Sequence, residues 1–418
     1  MLFRLSHFGK HTVSTIKLGY VYFRICLSVL ILLGSSTTIF AQSTFEKESK
    51  GHFTWSPQKG LRFKTEDDAF YAKMGFRMQS RLTLNEADKT SYEAKINRLR
   101  FDVDGYIVSP KFAYELTVNF SPDDFNIGDK ERISLIRDLY FSYNPNNNWS
   151  LIIGQTKLPS SRQSDNSSGK LQLTDRTFNN SDFNTDRDLG VQAHYYQLHD
   201  KRFSYAIKTA LSSGKGLQYF KTDYTSYTLS GKVELYPLGD FKNNGAYSEG
   251  DIEREETPKI LLSGAYHYNH NASMTKGLHG NRLYEPRDLQ SAYLDIMIKY
   301  NGWSAMASYL NRSAQDPVTT DNDTNQHAIL YIGHGLDYQL SYIFPRDYEL
   351  IGRFSNQKMD NKIYEYNFAN TKAWSLGLTR YIWQHKLKWQ AEFTYKQEEF
   401  ITTTKDSWYT RIQFDILL

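Results

Sequence analysis

Apolar and polar residues alternate along much of the chain, in segments of about ten residues that are separated by polar stretches. One segment has Phe112, Leu116 and Phe120 on one side and Glu115 and Asn119 on the other. Because successive side chains of a β-strand point to opposite faces, this period of two predicts strands with one apolar and one polar face. The alternation alone also fits a soluble β-sandwich, whose buried faces are apolar.

The alternating segments predict about sixteen strands. They span residues 72–85, 92–108, 111–121, 132–143, 148–157, 188–198, 202–212, 225–236, 258–269, 289–300, 302–312, 328–343, 347–357, 372–383, 385–397 and 405–418. Most connections after even-numbered strands are short turns, whereas those after odd-numbered strands are longer and polar. This rhythm, with charged residues on the polar faces, favours an all-β fold: a transmembrane antiparallel up-and-down β-barrel around a wet lumen.

The last predicted strand supports closure of the barrel. Trp408, Ile412 and Phe414 face one way, and Arg411 and Asp415 face the other. Closing a sheet on itself removes its unpaired edges, so we expect this strand to complete the barrel by pairing with the first one.

One connection departs from the rhythm. Residues 237–257 follow the eighth predicted strand, where a short turn is expected, and they are rich in Asp and Glu. The pattern leaves two explanations open. The chain makes a genuine excursion at this end of the barrel, or the segment conceals a further pair of strands.

The composition agrees with a membrane barrel better than with a soluble protein. The 418 residues have a mean hydropathy of -0.60, yet 15% of them are aromatic, with 31 Tyr, 25 Phe and 7 Trp. Outer-membrane barrels combine a polar lumen with aromatic girdles at both lipid interfaces, which accounts for both values. We therefore expect outer-membrane lipid around the barrel.

The N-terminal residues have the order of a secretory signal. Residues 1–41 contain four basic residues and no acidic one, and an apolar run at 25–33 is followed by small residues up to Ala41. The run is shorter than the roughly 20 residues that a membrane-spanning helix needs. We expect a signal peptide at 1–41, cleaved after Ala41, a periplasmic N-terminal segment at 42–68 and the outer-membrane barrel at 69–418.

Charge and cysteine content argue against several kinds of partner. The chain has 50 basic and 46 acidic residues, and without residues 1–41 it has 46 of each. The positive net charge of the whole chain therefore says nothing about anionic partners. We expect no nucleic-acid partner, because the expected outer-membrane location excludes one. Cys26 is the only cysteine and lies within the expected signal. We expect no disulfide, no thiolate metal site and no cysteine nucleophile in the exported protein.

Motifs for catalysis or cofactor binding are weak. His267 and His270 are three residues apart on a predicted strand, which places them on opposite faces. Residues 321–323, Asp-Asn-Asp, lack the glycine and glutamate of a hand-type calcium loop. The sequence contains no Gly-x-Ser-x-Gly elbow and no phosphate-binding glycine loop. It therefore predicts no enzyme, no catalytic residue, no metal and no cofactor.

Several stretches resemble the phosphate-selective porin O and P family, particularly its Bacteroidetes-type members. They are Asn97–Gly105, Ile136–Phe141, Ile153–Lys157, Leu173–Thr177, Asp186–Val191, and Glu234–Gly239 leading to Thr257–Lys259. The resemblance implies a sixteen-stranded porin of the Gram-negative outer membrane, commonly a homotrimer, and it accounts for the long connection at 237–257. It also implies that a loop folds into the lumen and narrows it. Here that loop would span residues 158–187.

The resemblance further implies that basic residues at the constriction bind anions. The candidates for the constriction or the lumen are Arg98, Arg100, Lys157, Arg162, Lys170, Arg176 and Arg187. Residues 158–187 hold four basic and four acidic residues, whereas an anion filter needs an excess of basic ones. The balance favours salt bridges that pin the loop to the barrel wall over a dedicated phosphate ladder. Lys157 is the strongest single candidate for a cation that sets the local field.

The preferred function is passive diffusion of small hydrophilic solutes, with anions such as phosphate as one candidate class. One alternative is an outer-membrane barrel enzyme, such as a lipase, which needs a Ser and a His facing lipid on adjacent strands. The alternation places no such pair on the predicted strands. Another alternative is a structural or adhesin barrel, whose lumen would be filled by bulky side chains.

Overall fold

The computed structural model describes residues 50–56, 60–87, 89–121, 135–217 and 224–418. The expected signal peptide at 1–41, including Cys26, lies outside the described residues, as does the first part of the predicted strand 132–143.

The described chain forms twenty strands and a few short helical turns. The strands are β1 Gly51–Ser56, β2 Gly60–Thr65, β3 Phe70–Glu86, β4 Thr90–Ile107, β5 Phe112–Asn119, β6 Ile136–Tyr143, β7 Trp149–Lys157, β8 Arg187–Gln197, β9 Ser204–Ser212, β10 Tyr227–Tyr236, β11 Lys259–Met274, β12 Arg282–Tyr300, β13 Trp303–Ser313, β14 Val318–Thr320, β15 His327–Ile329, β16 Gly333–Phe344, β17 Tyr348–Met359, β18 Asn370–Trp383, β19 Leu387–Glu399 and β20 Thr404–Leu417. The α-helices are Arg162–Asp165, Phe178–Phe183 and Asn361–Tyr364, and the 3-10 helices are Ser168–Lys170 and Lys242–Tyr247.

Sixteen of these strands close into one antiparallel barrel. Each strand from β3 to β20 pairs with the next, except that β14 and β15 form a separate hairpin between β13 and β16. β20 returns to pair with β3, with Phe414 opposite Ser80, which closes the ring. The predicted fold is therefore confirmed, and each predicted strand has its counterpart. The largest differences occur in β11 and β12, which extend their pairing beyond a bulge between Asn269 and Ala272.

The two faces of the barrel differ as the alternation predicts. Leu294 on β12 is 61% exposed on the outer face, whereas the inward-facing Lys232 and Glu234 of β10 are buried. Aromatic pairs mark both ends of the outer face, for example Trp303 and Tyr342 with ring centroids 4.8 Å apart. These positions are typical of a lipid-facing belt with aromatic girdles. Among the described residues, no helix is both long and apolar enough to cross a membrane.

Short turns gather at one end of the barrel, called here the turn end, and long loops at the other, called the loop end. The long connection at 237–257 is a genuine excursion at the turn end, and it folds back into the barrel. Its Phe241 and Ala246 pack against Leu261 and Met297 in a buried apolar cluster. We call residues 237–258 the turn insert. No described residue of it forms a strand, so the alternative of a missed strand pair is wrong.

Candidate functional site

The connection between β7 and β8 lies inside the barrel. We call residues 158–186 the lumen loop. Its Leu158, Leu171 and Phe183 are almost completely buried. Two N-caps shape its short helices: the Ser161 hydroxyl accepts a hydrogen bond from the backbone N–H of Ser164, and the Thr177 hydroxyl accepts one from Asn180.

Inward-facing side chains of β19 bind the backbone of the lumen loop. Lys388 Nζ donates to the Leu171 carbonyl oxygen at 2.6 Å. Gln390 Nε2 donates to the carbonyl oxygen of Gln172 at 2.8 Å. The Glu392 carboxylate accepts from the Thr174 backbone N–H at 3.0 Å. A loop inside a barrel has no neighbouring strand to form hydrogen bonds with its peptide groups, so side chains of the wall form these hydrogen bonds instead.

Two glycines of the wall make room for the loop. A Cβ built on Gly377 of β18 would lie 2.1 Å from the Leu173 side chain. A Cβ on Gly335 of β16 would lie 2.3 Å from the Asn179 side chain. Both glycines therefore have a packing role that is independent of backbone conformation, because any larger residue would collide with the lumen loop.

Buried ion pairs anchor the loop to β10. Arg162 is fully buried; its guanidinium lies 3.0 Å from Glu234 and 3.3 Å from Asp165. Lys232 also lies 2.7 Å from Asp165. Arg162 therefore anchors the loop and is not exposed to a passing solute.

Further ion pairs tie the loop to the wall strands β3, β4 and β8, and Arg187 of β8 pairs in turn with β6. Asp175 lies 3.2 Å from both Arg81 and Arg98. Burial alone would raise the pKa of the Asp175 carboxyl, but Arg98 and Arg81 outweigh it and hold this pKa well below its usual range. Arg187 pairs with Asp138 at 2.9 Å and with Asp186 at 3.1 Å.

Lys157 and Arg176 make different contacts. Lys157 Nζ donates to the Ser164 carbonyl oxygen at 2.7 Å and to that of Asn166 at 3.4 Å. Arg176 donates to the carbonyl oxygens of Gln163 at 2.7 Å and Asn166 at 2.6 Å. Among the described residues, neither side chain forms an ion pair with a carboxylate.

The two cations lie between two cavities. One cavity, of about 480 Å³, opens on the loop-end side and is lined by Arg176; the other, of about 650 Å³, opens on the turn-end side and is lined by Lys157. Burial and the nearby Arg98 lower the pKa of Arg176 to about 10, so it remains charged at neutral pH. One member of the pair therefore lines each cavity.

The loop-end cavity is predominantly cationic. Its charged lining residues are Arg98, Arg176, Arg353, Lys396, Arg411, Asp175 and Asp186. Reasoning from the sequence missed Arg353 and Arg411 as candidates, although the alternation of the last strand already placed Arg411 on the polar face. The guanidinium of Arg411 stacks on the Tyr409 ring, 4.0 Å from its centroid.

The two remaining candidates support the loop from other sides. Arg100 donates to the Asn119 side-chain oxygen at 3.0 Å and to the Ser168 hydroxyl at 3.1 Å. Lys170 lies next to the turn insert, and its carbonyl oxygen accepts a hydrogen bond from the Glu249 backbone N–H at 3.0 Å.

The turn insert and the lumen loop meet inside the barrel. The Glu249 carboxylate accepts hydrogen bonds from the Gln172 backbone N–H at 3.0 Å and from Gln339 Nε2 at 3.2 Å. Lys299 of β12 holds the insert through the carbonyl oxygens of Gly245 and Ser248 at 2.8 and 2.9 Å. The insert and the loop thus cover the wall of β10 to β17, whereas the turn-end cavity follows β6 to β9.

The two histidines considered as metal ligands lie in separate surroundings. His267 is buried beside the Ser230 hydroxyl at 2.8 Å, and His270 pairs with Asp288 at 2.8 Å. Within the described ranges, no group of three or more His, Cys, Asp or Glu side chains is arranged to hold a metal ion.

The fold is that of solved outer-membrane channels. OmpF of Salmonella typhi, in complex with daunomycin, is 11% identical with a TM-score of 0.53, and the alignment covers 84% of this chain and 99% of that one. The channel DcaP of Acinetobacter baumannii is 11% identical with a TM-score of 0.52, covering 85% and 99%. An anion-selective porin from Comamonas acidovorans is 9% identical with a TM-score of 0.50, covering 83% and 99%.

No curated protein matches the sequence. The family of phosphate-selective porins O and P matches residues 72–416, which is nearly the whole barrel. The turn end is then the periplasmic end and the loop end the extracellular one, as in other such barrels. The chain belongs to the phosphate-selective porin O and P family and is a porin of the Gram-negative outer membrane.

Proposed function

We propose that this porin is a passive channel that prefers small hydrophilic anions, inorganic phosphate among them. The observation that carries the proposal is the Lys157–Arg176 pair, whose members share the Asn166 carbonyl oxygen and each line one of the two cavities. Selectivity in such channels follows from the charges that line the narrow point. No catalytic step is needed for this activity.

Residues 158–187 hold equal numbers of basic and acidic residues, but these residues are not paired equally. All four carboxylates of the loop have a cationic partner: Asp165 with Lys232, Asp175 with Arg98, Asp182 with Lys276, and Asp186 with Arg187. Among the described residues, the side chains of Lys157 and Arg176 form no ion pair with a carboxylate and donate hydrogen bonds only to carbonyl oxygens. The ion pairs therefore leave the positive charge of Arg176, beside Lys157, uncompensated by a carboxylate of the loop.

The chemistry of this pair suits an oxyanion. Lys157 and Arg176 lie within about 6 Å of each other, the sum of their distances to the Asn166 carbonyl oxygen. Arg176 Nη1 makes no hydrogen bond to a described residue. A phosphate or similar anion could accept from this nitrogen and interact with the ammonium group at the same time.

The test is the ion selectivity of the purified barrel in planar bilayers. Under a KCl gradient we expect a reversal potential of the sign that anion permeation produces, and competition by added phosphate for the chloride current. A reversal potential without anion preference would remove the anion assignment. Absence of current from a folded, reconstituted barrel would overturn the passive channel itself.

We also propose that three copies assemble, as the family resemblance implies. The mass of the detergent complex, corrected for bound detergent and measured by light scattering, should equal three chains. A single-chain mass under conditions that preserve conductance would overturn this assembly and leave the channel function unaffected.

A further inference from the structure

The N-terminal hairpin of β1 and β2 extends the barrel wall beyond the end of the last strand. Phe76 and Leu418 exchange two backbone hydrogen bonds, of 3.2 and 2.8 Å, where β20 ends on β3. β2 continues the pairing further along β3, with Leu61 opposite Met74 and antiparallel to it. The hairpin therefore occupies the place in the sheet that β20 leaves vacant at the periplasmic rim.

One face of the hairpin is aromatic and exposed. Phe63 lies opposite Ala72, which by alternation along β3 is on the outer side of the wall. The Phe53 ring packs on Phe63 with centroids 4.9 Å apart, so Phe53 lies on the same side. Trp55, two residues further along β1, shares that face. Phe53 is 65% and Trp55 69% exposed.

The other face of the hairpin is polar. Arg62 and Lys64 alternate with the outer residues of β2. On β1, His52 and Thr54 hold the corresponding positions, and His52 Nε2 lies 2.9 Å from Glu66. The hairpin is therefore amphipathic across its thickness, like the barrel wall itself.

The aromatic face continues the periplasmic girdle without a break. Ring contacts run from Phe53 to Phe63, from Phe63 to Phe70 at 6.0 Å, and from Phe70 to Tyr114 of β5 at 6.2 Å. The next strands of the girdle add a further stacked pair, Phe112 with Tyr143, at 5.0 Å. Aromatic side chains at this level of a barrel sit among lipid headgroups.

We propose that the hairpin Gly51–Thr65 is a membrane-interface anchor. Phe53, Trp55, Leu61 and Phe63 lie against the inner-leaflet lipids of the outer membrane, and the polar face is turned towards water. The partner is phospholipid at the headgroup boundary, because the exposed rings continue a surface that already faces lipid. Burial of these rings also gives the wall a lipid-facing cover at the point where β20 ends.

The test uses one nitroxide label at a time in the full-length barrel, refolded into phosphatidylcholine vesicles. Residues 42–418, the chain without the expected signal peptide, contain no cysteine, so each introduced cysteine is the only labelling site. Phe53→Cys carries the label on the aromatic face, and Thr54→Cys carries it on the polar face of the same strand. Leu294→Cys, on the exposed outer wall, gives the reference for lipid contact.

We expect the label at Phe53→Cys to collide with oxygen, which dissolves in lipid, and to be shielded from a water-soluble nickel chelate, like the label at Leu294→Cys. The label at Thr54→Cys should show the opposite preference. Equal access of the chelate to both hairpin labels would overturn the proposal and place the hairpin in the periplasm. Shielding of Phe53→Cys from both reagents would overturn it in favour of a covering protein surface, such as a second copy.

Discussion

Lys157 Nζ and Arg176 Nη2 approach one carbonyl oxygen, that of Asn166, at 3.4 and 2.6 Å. Two cations that share a neutral acceptor are not neutralised by it. In a lumen with this many charged groups, a neighbouring carboxylate commonly compensates the positive charge of a lysine or an arginine. Here the carboxylates of the lumen loop are engaged by other cations, and this distribution makes the pair the centre of the proposed selectivity.

Removing both charges should abolish most of the anion preference. At 4 Å in water a unit charge contributes about 1 kcal/mol, which corresponds to about fivefold in local anion concentration for each cation. Lys157→Gln with Arg176→Gln should therefore reduce the anion-to-cation permeability ratio several-fold, as measured by reversal potential. Lys372→Gln, the same change at an exposed position of β18, should leave the ratio unaltered. A double variant with the parental ratio would assign selectivity to other residues.

Arg162 should prove to be a structural anchor. Breaking a buried ion pair by removal of one partner costs about 3–5 kcal/mol, because the remaining charge is left uncompensated. Arg162→Met should therefore lower the free energy of unfolding in urea by an amount of this order and increase current fluctuations as the loop loosens. If the variant kept parental stability and lost anion preference instead, Arg162 would belong to the solute path.

The glycines of the wall offer a matched pair of substitutions. A Cβ on Gly377 would collide with Leu173, whereas a Cβ on Gly352 of the neighbouring β17 would meet no atom within 4 Å. Gly377→Val should displace the lumen loop, with a cost of about 1–3 kcal/mol for overpacking and a changed single-channel conductance. Gly352→Val should alter neither quantity. Identical effects of the two substitutions would contradict the packing of the loop on β18.

Glu249 should hold the turn insert against the lumen loop. Glu249→Ala removes the acceptor of two hydrogen bonds, and each bond to a charged group contributes about 1.5–3 kcal/mol. We expect a higher single-channel conductance or new, larger conductance levels, because space along β10 to β17 becomes accessible to ions. The control is Glu256→Ala, since Glu256 is exposed and pairs with Lys242 within the insert. Unchanged conductance in the first variant would show that the insert stays in place without Glu249.

Asp175 should be protonated, and its ion pairs with Arg81 and Arg98 broken, only at a pH below the usual pKa of a carboxyl group. Its folded-state pKa is depressed by Arg98 and Arg81, so its contribution to loop stability is complete above the unfolded value of about 3.9 and disappears as pH falls through the lower folded value. The contribution of Asp175, obtained by comparing unfolding of the parent with Asp175→Asn, should be constant from pH 7 to about 4. A loss of this contribution already between pH 7 and 5 would contradict the pairing. Asp175→Asn should also strengthen anion preference at pH 7.

The barrel could be predicted from the sequence because its signal is local. Within β10, Leu229 faces lipid and Lys232 faces the lumen, and the period of two along this one strand is enough to predict both. The short turns and the terminal strand then determined order and closure. Positions such as the extended ends of β11 and β12 were missed, because there the strand continues past a bulge in pairing that the alternation does not show.

The electrical character of the lumen depends on tertiary structure. Counted along the chain, residues 158–187 are balanced in charge, and this balance favours salt bridges. Several of those bridges are indeed present, for example between Arg98 and Asp175, which are 77 positions apart. The sequence also identified Lys157 as a candidate, but it could not show that Arg176 shares its surroundings without a carboxylate partner. Ion pairs act over a few ångströms in space, and only the folded barrel determines which charges meet and which remain to face a solute.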